Sequence, residues 1–169
     1  MTPLFDNYFI SNDKMLMDVN VIHDFLSNRS YWAKGISKQR IEKSITNSLP
    51  FGVFEGKNQI GFAQVITDYA TFGWICNVFI LENHRGKGLS KALIHAITEH
   101  FELKNMRRLL LATADAHGLY TQYGFSALEK PERWLEKTIA DFYLTLLKSQ
   151  SVSLSSHDFY FCIVLQVIA

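Results

Sequence analysis

The chain has 169 residues, of which 48% are hydrophobic and 20% are charged, and its formal net charge is +1. These values are typical of one globular domain and exclude a disordered chain or a coiled-coil rod. Seventeen basic residues against sixteen acidic ones leave no surplus of positive charge. We therefore expect neither nucleic acid nor a membrane surface as a partner, since Lys104, Arg107 and Arg108 form only a small basic cluster.

The two cysteines, Cys76 and Cys162, are too few for a disulfide framework or a four-ligand zinc site. No basic stretch precedes an apolar run at the N-terminus, so we expect no signal peptide. The apolar run over residues 159–169 is too short to span a bilayer. We expect a cytoplasmic protein with free thiols and no metal site.

Hydrophobic periodicity and turn residues predict alternating short elements along the chain. The expected elements are a strand over 8–10, a helix from Asp18 or Asn20 to about 27, a loop over 30–35, a helix from Ser37 to Pro50, strands over 51–54, 60–67 and 71–81, a helix over 89–101, a strand over 109–112 and a short helix over 116–123. The strand over 71–81 is apolar on both faces, which is typical of a central strand covered by helices. Alternation predicts that Ile75 and Phe79 share one of those faces.

The last part of the chain differs in composition from the rest. Residues 141–148 are compatible with a helix, residues 149–156 are rich in serine, and residues 159–168 are β-prone. We interpret residues 1–137 as one domain and residues 138–169 as a C-terminal extension. The extension is either a spacer with a docking strand or a dispensable segment.

A polar loop with two glycines joins the predicted central strand to the helix that follows, and it reads Arg85-Gly86-Lys87-Gly88-Leu89-Ser90. Unpaired backbone N–H groups at a helix N-terminus suit a phosphate, and glycines let the backbone approach it closely. The nucleoside-triphosphatase pattern is absent, and the dinucleotide fingerprint fails because residue 91 is Lys. The pattern Gln/Arg-x-x-Gly-x-Gly/Ala fits, with Ser90 in its last position. The alternative is a glycine turn that only caps the helix.

A second motif, Tyr120-Thr121-Gln122-Tyr123-Gly124-Phe125, follows about 35 residues after Arg85. Together the two motifs, in this order and spacing, resemble the GNAT superfamily of acetyl-CoA-dependent N-acetyltransferases. The chain looks more narrowly like a small bacterial group, through Tyr-Trp-Ala-Lys-Gly at 31–35, His-Arg-Gly-x-Gly at 84–88 and Asp-Ala-His-Gly-Leu-Tyr at 115–120. The resemblance covers residues 8–137. It implies an α/β (α+β) fold with a central mixed, mostly antiparallel sheet of six to seven strands and about four helices.

The resemblance also implies a site for coenzyme A. The backbone amides of the loop would hold the pyrophosphate, and the backbone of the central strand would pair with the pantetheine arm like an added strand. Tyr120 matches the tyrosine that protonates the departing thiolate in the family, and Tyr123 joins the same site. Ser90 replaces the usual Gly or Ala, and Thr113 stands where many relatives have Asn. The expected cofactor-binding residues are Val78, Phe79, Ile80, Arg85, Gly86, Lys87, Gly88, Leu89, Ser90 and Tyr123.

Transfer to an alkylammonium requires a base near neutral pH, because such a group has a pKa of about 10.4. Asp115 and His117 are our candidates for this role beside Tyr120, and Asp68, Glu82 and His84 are alternatives. Asp115 is also a potential helix cap, and His117 a potential structural residue. Cys76 lies in mid-strand without a paired histidine in the sequence, so we expect an inert thiol rather than a nucleophile.

The acceptor pocket is expected to come from loops beside the sheet. The candidate substrate-binding residues are Tyr31, Trp32, Asp68, Tyr69 and Phe72. Aromatic groups with one acid suit a small amine that bears an apolar part.

The implied function is direct transfer of an acetyl group from acetyl-CoA to a primary amine of a small molecule or an exposed protein amine. The alternative is a binding module that senses acyl-CoA without turnover. A monomer and a homodimer are both compatible with the sequence.

Overall fold

The computed structural model describes residues 1–5 and 7–139, and the elements predicted at 141–148 and 159–168 lie outside the described residues. The strands are β1 (Thr2–Pro3), β2 (Tyr8–Ser11), β3 (Leu49–Glu55), β4 (Asn58–Thr67), β5 (Phe72–Ile80) and β6 (Arg108–Leu110). The α-helices are α1 (Val19–His23), α2 (Lys38–Thr46), α3 (Leu89–Thr98) and α4 (His117–Tyr120). A π-helical segment, Asp24–Arg29, continues α1, and 3₁₀ turns occur at Lys14–Leu16, Glu82–His84, Thr121–Tyr123 and Pro131–Arg133.

The six strands form one mixed sheet in the order β1-β2-β3-β4-β5-β6. Every neighbouring pair is antiparallel except β5 and β6, which run parallel. The predicted α/β architecture, a mostly antiparallel sheet of six to seven strands with four helices, is confirmed.

The helices cover the sheet through two hydrophobic clusters. One cluster joins α3, through Leu93 and Ile97, to residues of the sheet such as Ala63. The other joins α1 and α2, through Ile22 and Ile41, to a set that includes Phe62. Because Phe62 and Ala63 are neighbours in β4, the two clusters lie on opposite faces of the sheet.

Two predicted boundaries in the first half differ in outcome. Asp18 caps α1 as expected, since its Oδ1 accepts hydrogen bonds from the backbone N–H of Asn20 and Val21. The second helix, predicted to end at Pro50, ends at Thr46 instead. Pro50 lies inside β3, where a missing N–H is tolerated because β2 pairs with β3 only as far as Gly52.

The expected alternation along β5 is interrupted by a bulge. Phe62 pairs with Phe79 and Gln64 pairs with Cys76, so one residue of β4 faces two residues of β5. Asn77 in this bulge has a φ of 55°. The prediction that Ile75 and Phe79 share a face is wrong, because Ile75 packs in the α3 cluster and Phe79 in the α1–α2 cluster.

Candidate active site

The site begins where β5 and β6 separate. Their pairing is limited to three residues on each strand, Phe72 to Trp74 opposite Arg108 to Leu110. Beyond Trp74 a cavity of about 730 Å³ opens, with residues 74–80 of β5 on one side and residues 112–113, 115–116 and 119–120 on the other. The edge of β5 that faces this cavity has no described partner strand after Trp74, so its backbone can accept an extended ligand as a strand would.

The glycine loop closes one end of the cavity. Gly86 and Gly88 have φ angles of 77° and 76°, which glycine adopts without a steric penalty. A Cβ placed on either residue meets no atom within 4 Å, so the space beside both is open. Gly88 is the N-cap of the ten-residue helix α3 and provides no side-chain cap, which leaves the first N–H groups of α3 available to an anion.

Charged side chains beside the loop pair with one another. Glu82 bridges two guanidinium groups, with 3.1 Å from Arg29 Nη1 to Glu82 Oε2 and 3.2 Å from Arg85 Nη2 to Glu82 Oε1. A backbone N–H bond within Glu82, followed by the charges of Arg85 and Arg29, lowers the pKa of this carboxyl. Glu82 is therefore a poor general base, and Arg29 and Arg85 bring positive charge to the rim of the cavity.

Lys87 differs from the other residues of the loop. Its ammonium donates a hydrogen bond of 2.7 Å to the hydroxyl of Tyr8 and lies 5.3 Å from the centroid of the Tyr8 ring. Lys87 is not among the residues that line the cavity, whereas Arg85, Gly86, Gly88, Leu89 and Ser90 are. Its side chain therefore links the loop to β2.

Tyr120 is buried in the wall of the cavity, with 7% of its surface exposed. Burial is the main cause that raises the pKa of Tyr120 to about 12, with further contributions from Asp115 and Tyr31. The phenol ring is also packed edge-on against Phe125 at 6.0 Å. Tyr120 thus holds its proton throughout the neutral pH range and can act as a hydrogen-bond donor or an acid.

The candidate bases separate into two groups. Asp115 and His84 line the cavity, whereas His117 is exposed outside the lining. His84 Nδ1 is buried without a hydrogen-bond partner, 3.8 Å from Glu55 Oε2. Asp115 does not cap α4, because the Thr113 hydroxyl accepts the N–H of Ala116 at 3.0 Å instead.

Only some of the residues predicted to bind the acceptor line the cavity. Tyr31 and Trp32 line the cavity, whereas Asp68, Tyr69 and Phe72 do not. The Asp68 carboxylate forms the turn between β4 and β5, where it accepts hydrogen bonds from three backbone N–H groups and one hydroxyl. Those bonds, led by the hydroxyl of Thr71, strongly lower the pKa of Asp68. Its geometry is that of a turn residue rather than a ligand-binding acid.

Several lining residues were missed by the sequence reasoning, among them Arg29, Trp74 and Asn77. Trp74 precedes the separation of the strands, and Asn77 lies in the bulge. Trp32 Nε1 donates a hydrogen bond of 3.1 Å to Asn77 Oδ1 and so connects the loop after the π-helical segment to β5. Neither Trp74 nor Asn77 carried a local signal in the sequence, because their role depends on where the bulge falls.

Among the residues predicted to bind the cofactor, Val78, Phe79 and Ile80 also line the cavity. Tyr123 is outside the lining, with its ring 6.2 Å from that of His95. Cys76 lines the cavity, and burial raises the pKa of its thiol, which disfavours a thiolate nucleophile.

Residues 1–5 and 7–139 contain no group of three or more His, Cys, Asp or Glu side chains arranged to hold a metal ion. In the same described part of the chain, none of the helices has the length and apolarity that a bilayer crossing requires.

Comparison with known proteins identifies the class to which this fold and site belong. The model of the acetyltransferase (GNAT) family matches residues 19–125. A crystal structure of a GNAT-family protein from Xanthomonas campestris pv. campestris is 42% identical, covers 85% of this chain and 99% of its own, and has a TM-score of 0.79. The chain therefore belongs to the GNAT family of acetyltransferases.

More distant relatives have similar sequences or folds. One relative is the Gibberella zeae protein FG08082, whose name describes an inferred acetyltransferase. It is 25% identical over 134 residues, which are 68% of this chain and 76% of that protein. A Clostridium acetobutylicum structure described as an acetyltransferase with acetyl-CoA is 16% identical, covers 78% of this chain and 95% of its own, and has a TM-score of 0.53. The second similarity concerns the fold alone.

Proposed function

We propose that this protein transfers the acetyl group of acetyl-CoA directly to a primary amine, on a small molecule or as an exposed amine of a protein. One observation carries the proposal: the open glycine loop, the edge of β5 that has no described partner strand after Trp74, and the buried Tyr120 all border one cavity. Phosphate binding, alignment of an extended arm and proton donation are therefore possible within a single continuous space.

The cavity has the features that coenzyme A requires. The space beside Gly86 and Gly88 and the free N–H groups at the start of α3 suit the pyrophosphate. Arg29 and Arg85 lie at the same end and complement negative charge. The edge of β5 at residues 78–80 would hold the pantetheine arm. When bound, acetyl-CoA supplies the activated thioester.

Protein groups that line the cavity can carry out the proton transfers and polarise the carbonyl group. Asp115 is the lining carboxylate that has no described cation within ion-pair distance. We assign to Asp115 the role of the base that accepts a proton from the acceptor ammonium. A backbone N–H at Phe79 or Ile80 polarises the carbonyl oxygen, as in an oxyanion hole. Tyr120 keeps its proton at neutral pH and donates it to the departing sulfur.

The test combines binding with turnover. Acetyl-CoA is expected to raise the melting temperature, and an amine is expected to be required for steady release of free coenzyme A. Tyr120→Phe is expected to lower kcat by about 10²- to 10⁴-fold, the range for loss of general acid catalysis, with stabilisation by acetyl-CoA unchanged. Cys76→Ser serves as the control for an acyl-enzyme and is expected to retain full turnover.

The opposing outcomes are distinct. Stabilisation by acetyl-CoA without coenzyme A release from any amine would support the acyl-CoA sensor module in place of the enzyme. Full turnover by Tyr120→Phe would remove the acid role of Tyr120. If millimolar acetyl-CoA does not stabilise the folded protein, the glycine loop is a structural turn and not a binding site for the cofactor.

We also propose that residues 1–137 form the catalytic domain and that residues 138–169 are an extension. Among residues 1–5 and 7–139, every residue that lines the cavity lies between Phe25 and Tyr120, and the family model ends at residue 125. A variant truncated after residue 139 is expected to retain the stabilisation by acetyl-CoA. Loss of that stabilisation in a folded variant would show that the extension contributes to the site.

A further inference from the structure

We propose that the acceptor is a monoamine whose primary ammonium is carried by a flat aromatic body, with the ring against Tyr31, Trp32 and Trp74 and the ammonium towards Asp115. This inference deepens the proposed function and rests on it, because it concerns the second substrate of the same cavity. It narrows the acceptor from amines in general to arylalkylamines.

The first support is a preformed aromatic wall. The rings of Tyr31 and Trp32 lie edge to face, with centroids 4.9 Å apart and an interplanar angle of 87°. The ring centroid of Trp32 lies 6.3 Å from that of Phe25, and Phe25 is itself stacked on Phe79 with centroids 4.0 Å apart. Aromatic rings arranged in this way can pair with a further aromatic ring in offset or edge-to-face geometry.

The second support is the way the indole of Trp32 is oriented. An indole N–H can only donate, so the 3.1 Å contact places the amide oxygen of Asn77 towards Trp32. Asn77 is the bulged residue of β5, and Trp74 lies three positions earlier on the same strand. Both tryptophans line the cavity. The aromatic wall is thereby attached to the strand that would align the acetyl donor.

The third support is the distribution of charge around the cavity. At the loop end, Arg29 and Arg85 are paired with Glu82. Asp115, Tyr31 and Tyr120 all line the cavity, and Asp115 and Tyr31 are each close enough to Tyr120 to influence its ionisation. Among residues 1–5 and 7–139, no cation lies within ion-pair distance of Asp115.

These charges discriminate between classes of acceptor. One carboxylate complements one ammonium, whereas a polyamine would leave its further charges without partners. An acceptor with a phosphate or carboxylate group would need a basic residue, and both lining guanidinium groups are at the loop end with Glu82. Aromatic walls also favour a flat ring over a hydroxyl-rich sugar, which would lose hydrogen bonds to water.

The experiment compares matched amines with the full-length protein and saturating acetyl-CoA. The panel is 2-phenylethylamine, hexylamine, spermidine, glucosamine and a lysine-containing peptide, with release of coenzyme A as the readout. We expect kcat/KM for 2-phenylethylamine to exceed that for hexylamine by about two- to tenfold, the ratio that corresponds to one aromatic pairing. Binding of 2-phenylethylamine to the protein with coenzyme A, measured by calorimetry, provides a readout without turnover.

Variants test the wall itself. Tyr31→Leu is expected to raise KM for 2-phenylethylamine about two- to tenfold more than it raises KM for hexylamine. Tyr31→Phe, which keeps the ring, is expected to restore the preference. Tyr69→Leu is the matched control, because Tyr69 is 46% exposed against 45% for Tyr31 but lies outside the cavity.

The outcomes separate this inference from the function on which it rests. Preference for hexylamine, spermidine, glucosamine or the peptide would overturn the aromatic acceptor and leave the acetyltransferase intact. An equal effect of Tyr31→Leu and Tyr69→Leu would also overturn it. Release of coenzyme A with none of the amines, in a protein stabilised by acetyl-CoA, would overturn the proposed function and this inference together.

Discussion

Replacing Gly88 by alanine tests the glycine loop, because a second glycine in the chain provides a matched control. Gly88 and Gly124 have φ angles of 76° and 82°, and a Cβ placed on either meets nothing within 4 Å. Alanine in this left-handed conformation costs about 1–2 kcal/mol. Both Gly88→Ala and Gly124→Ala are therefore expected to lower the melting temperature by about 2–8 °C.

The two variants are expected to differ in their response to acetyl-CoA, because only Gly88 lines the cavity. A ligand at about 100 times its Kd stabilises a protein by about 2.7 kcal/mol, and a tenfold weaker Kd leaves about 1.4 kcal/mol. We expect the new methyl group in the phosphate cradle to weaken binding at least tenfold. Gly88→Ala would then show about half the stabilisation of the wild type, and Gly124→Ala would show all of it.

Denaturant melts with and without acetyl-CoA measure two quantities on the same samples. They are the loss of unfolding free energy caused by alanine and the gain in unfolding free energy caused by acetyl-CoA. The variants share the backbone penalty, so the difference between their ligand-dependent stabilisation isolates the effect at the loop. Equal stabilisation of Gly88→Ala and Gly124→Ala would refute the assignment of the open space beside Gly88 to a phosphate.

Three further predictions concern other parts of the molecule. With the pKa of Tyr120 raised to about 12, a pH–rate profile is expected to show no loss of kcat from Tyr120 between about pH 7 and pH 10. Asp68→Ala is expected to lower the melting temperature at neutral pH without raising KM for the amine. Because the pKa of Asp68 is lowered on folding, the difference in melting temperature between this variant and the wild type should disappear in acid. Gly61→Ala places a Cβ 2.5 Å from Ile80 Cδ1 and 2.9 Å from Phe79 O, and denaturant melts should show a loss of about 1–3 kcal/mol.

Features with a local cause were predictable from the sequence. The Asp18 cap, the glycine loop and the start of α3 each depend on a few consecutive residues, and their predicted positions agree with the structure, whereas α3 ends at Thr98 rather than at residue 101. The sheet class was predictable from the resemblance to the GNAT family. The predicted end of α2 at Pro50 was wrong because Leu49 and Pro50 belong to β3, which pairs with β4.

Features with a long-range cause were not predictable. Asp68 and Trp32 were equally plausible as acceptor residues, because both belong to polar or aromatic segments beside predicted elements. The structure distinguishes them. The Asp68 carboxylate accepts hydrogen bonds within its own turn, whereas Trp32 donates a hydrogen bond to Asn77, 45 positions later in the chain. Pairings of this sequence separation leave no periodic signal in either segment.

The bulge at Asn77 connects the main failure of the sequence reasoning with the site itself. A regular β5 would place Ile75 and Phe79 on one face, as alternation predicts. The extra residue instead sends Phe79 to the α1–α2 cluster, where it stacks on Phe25 behind Trp32, and brings Asn77 to the cavity wall. Local rules tend to fail at functional positions, and here one inserted residue both breaks the strand pattern and brings Asn77 within hydrogen-bond distance of Trp32 in the cavity wall.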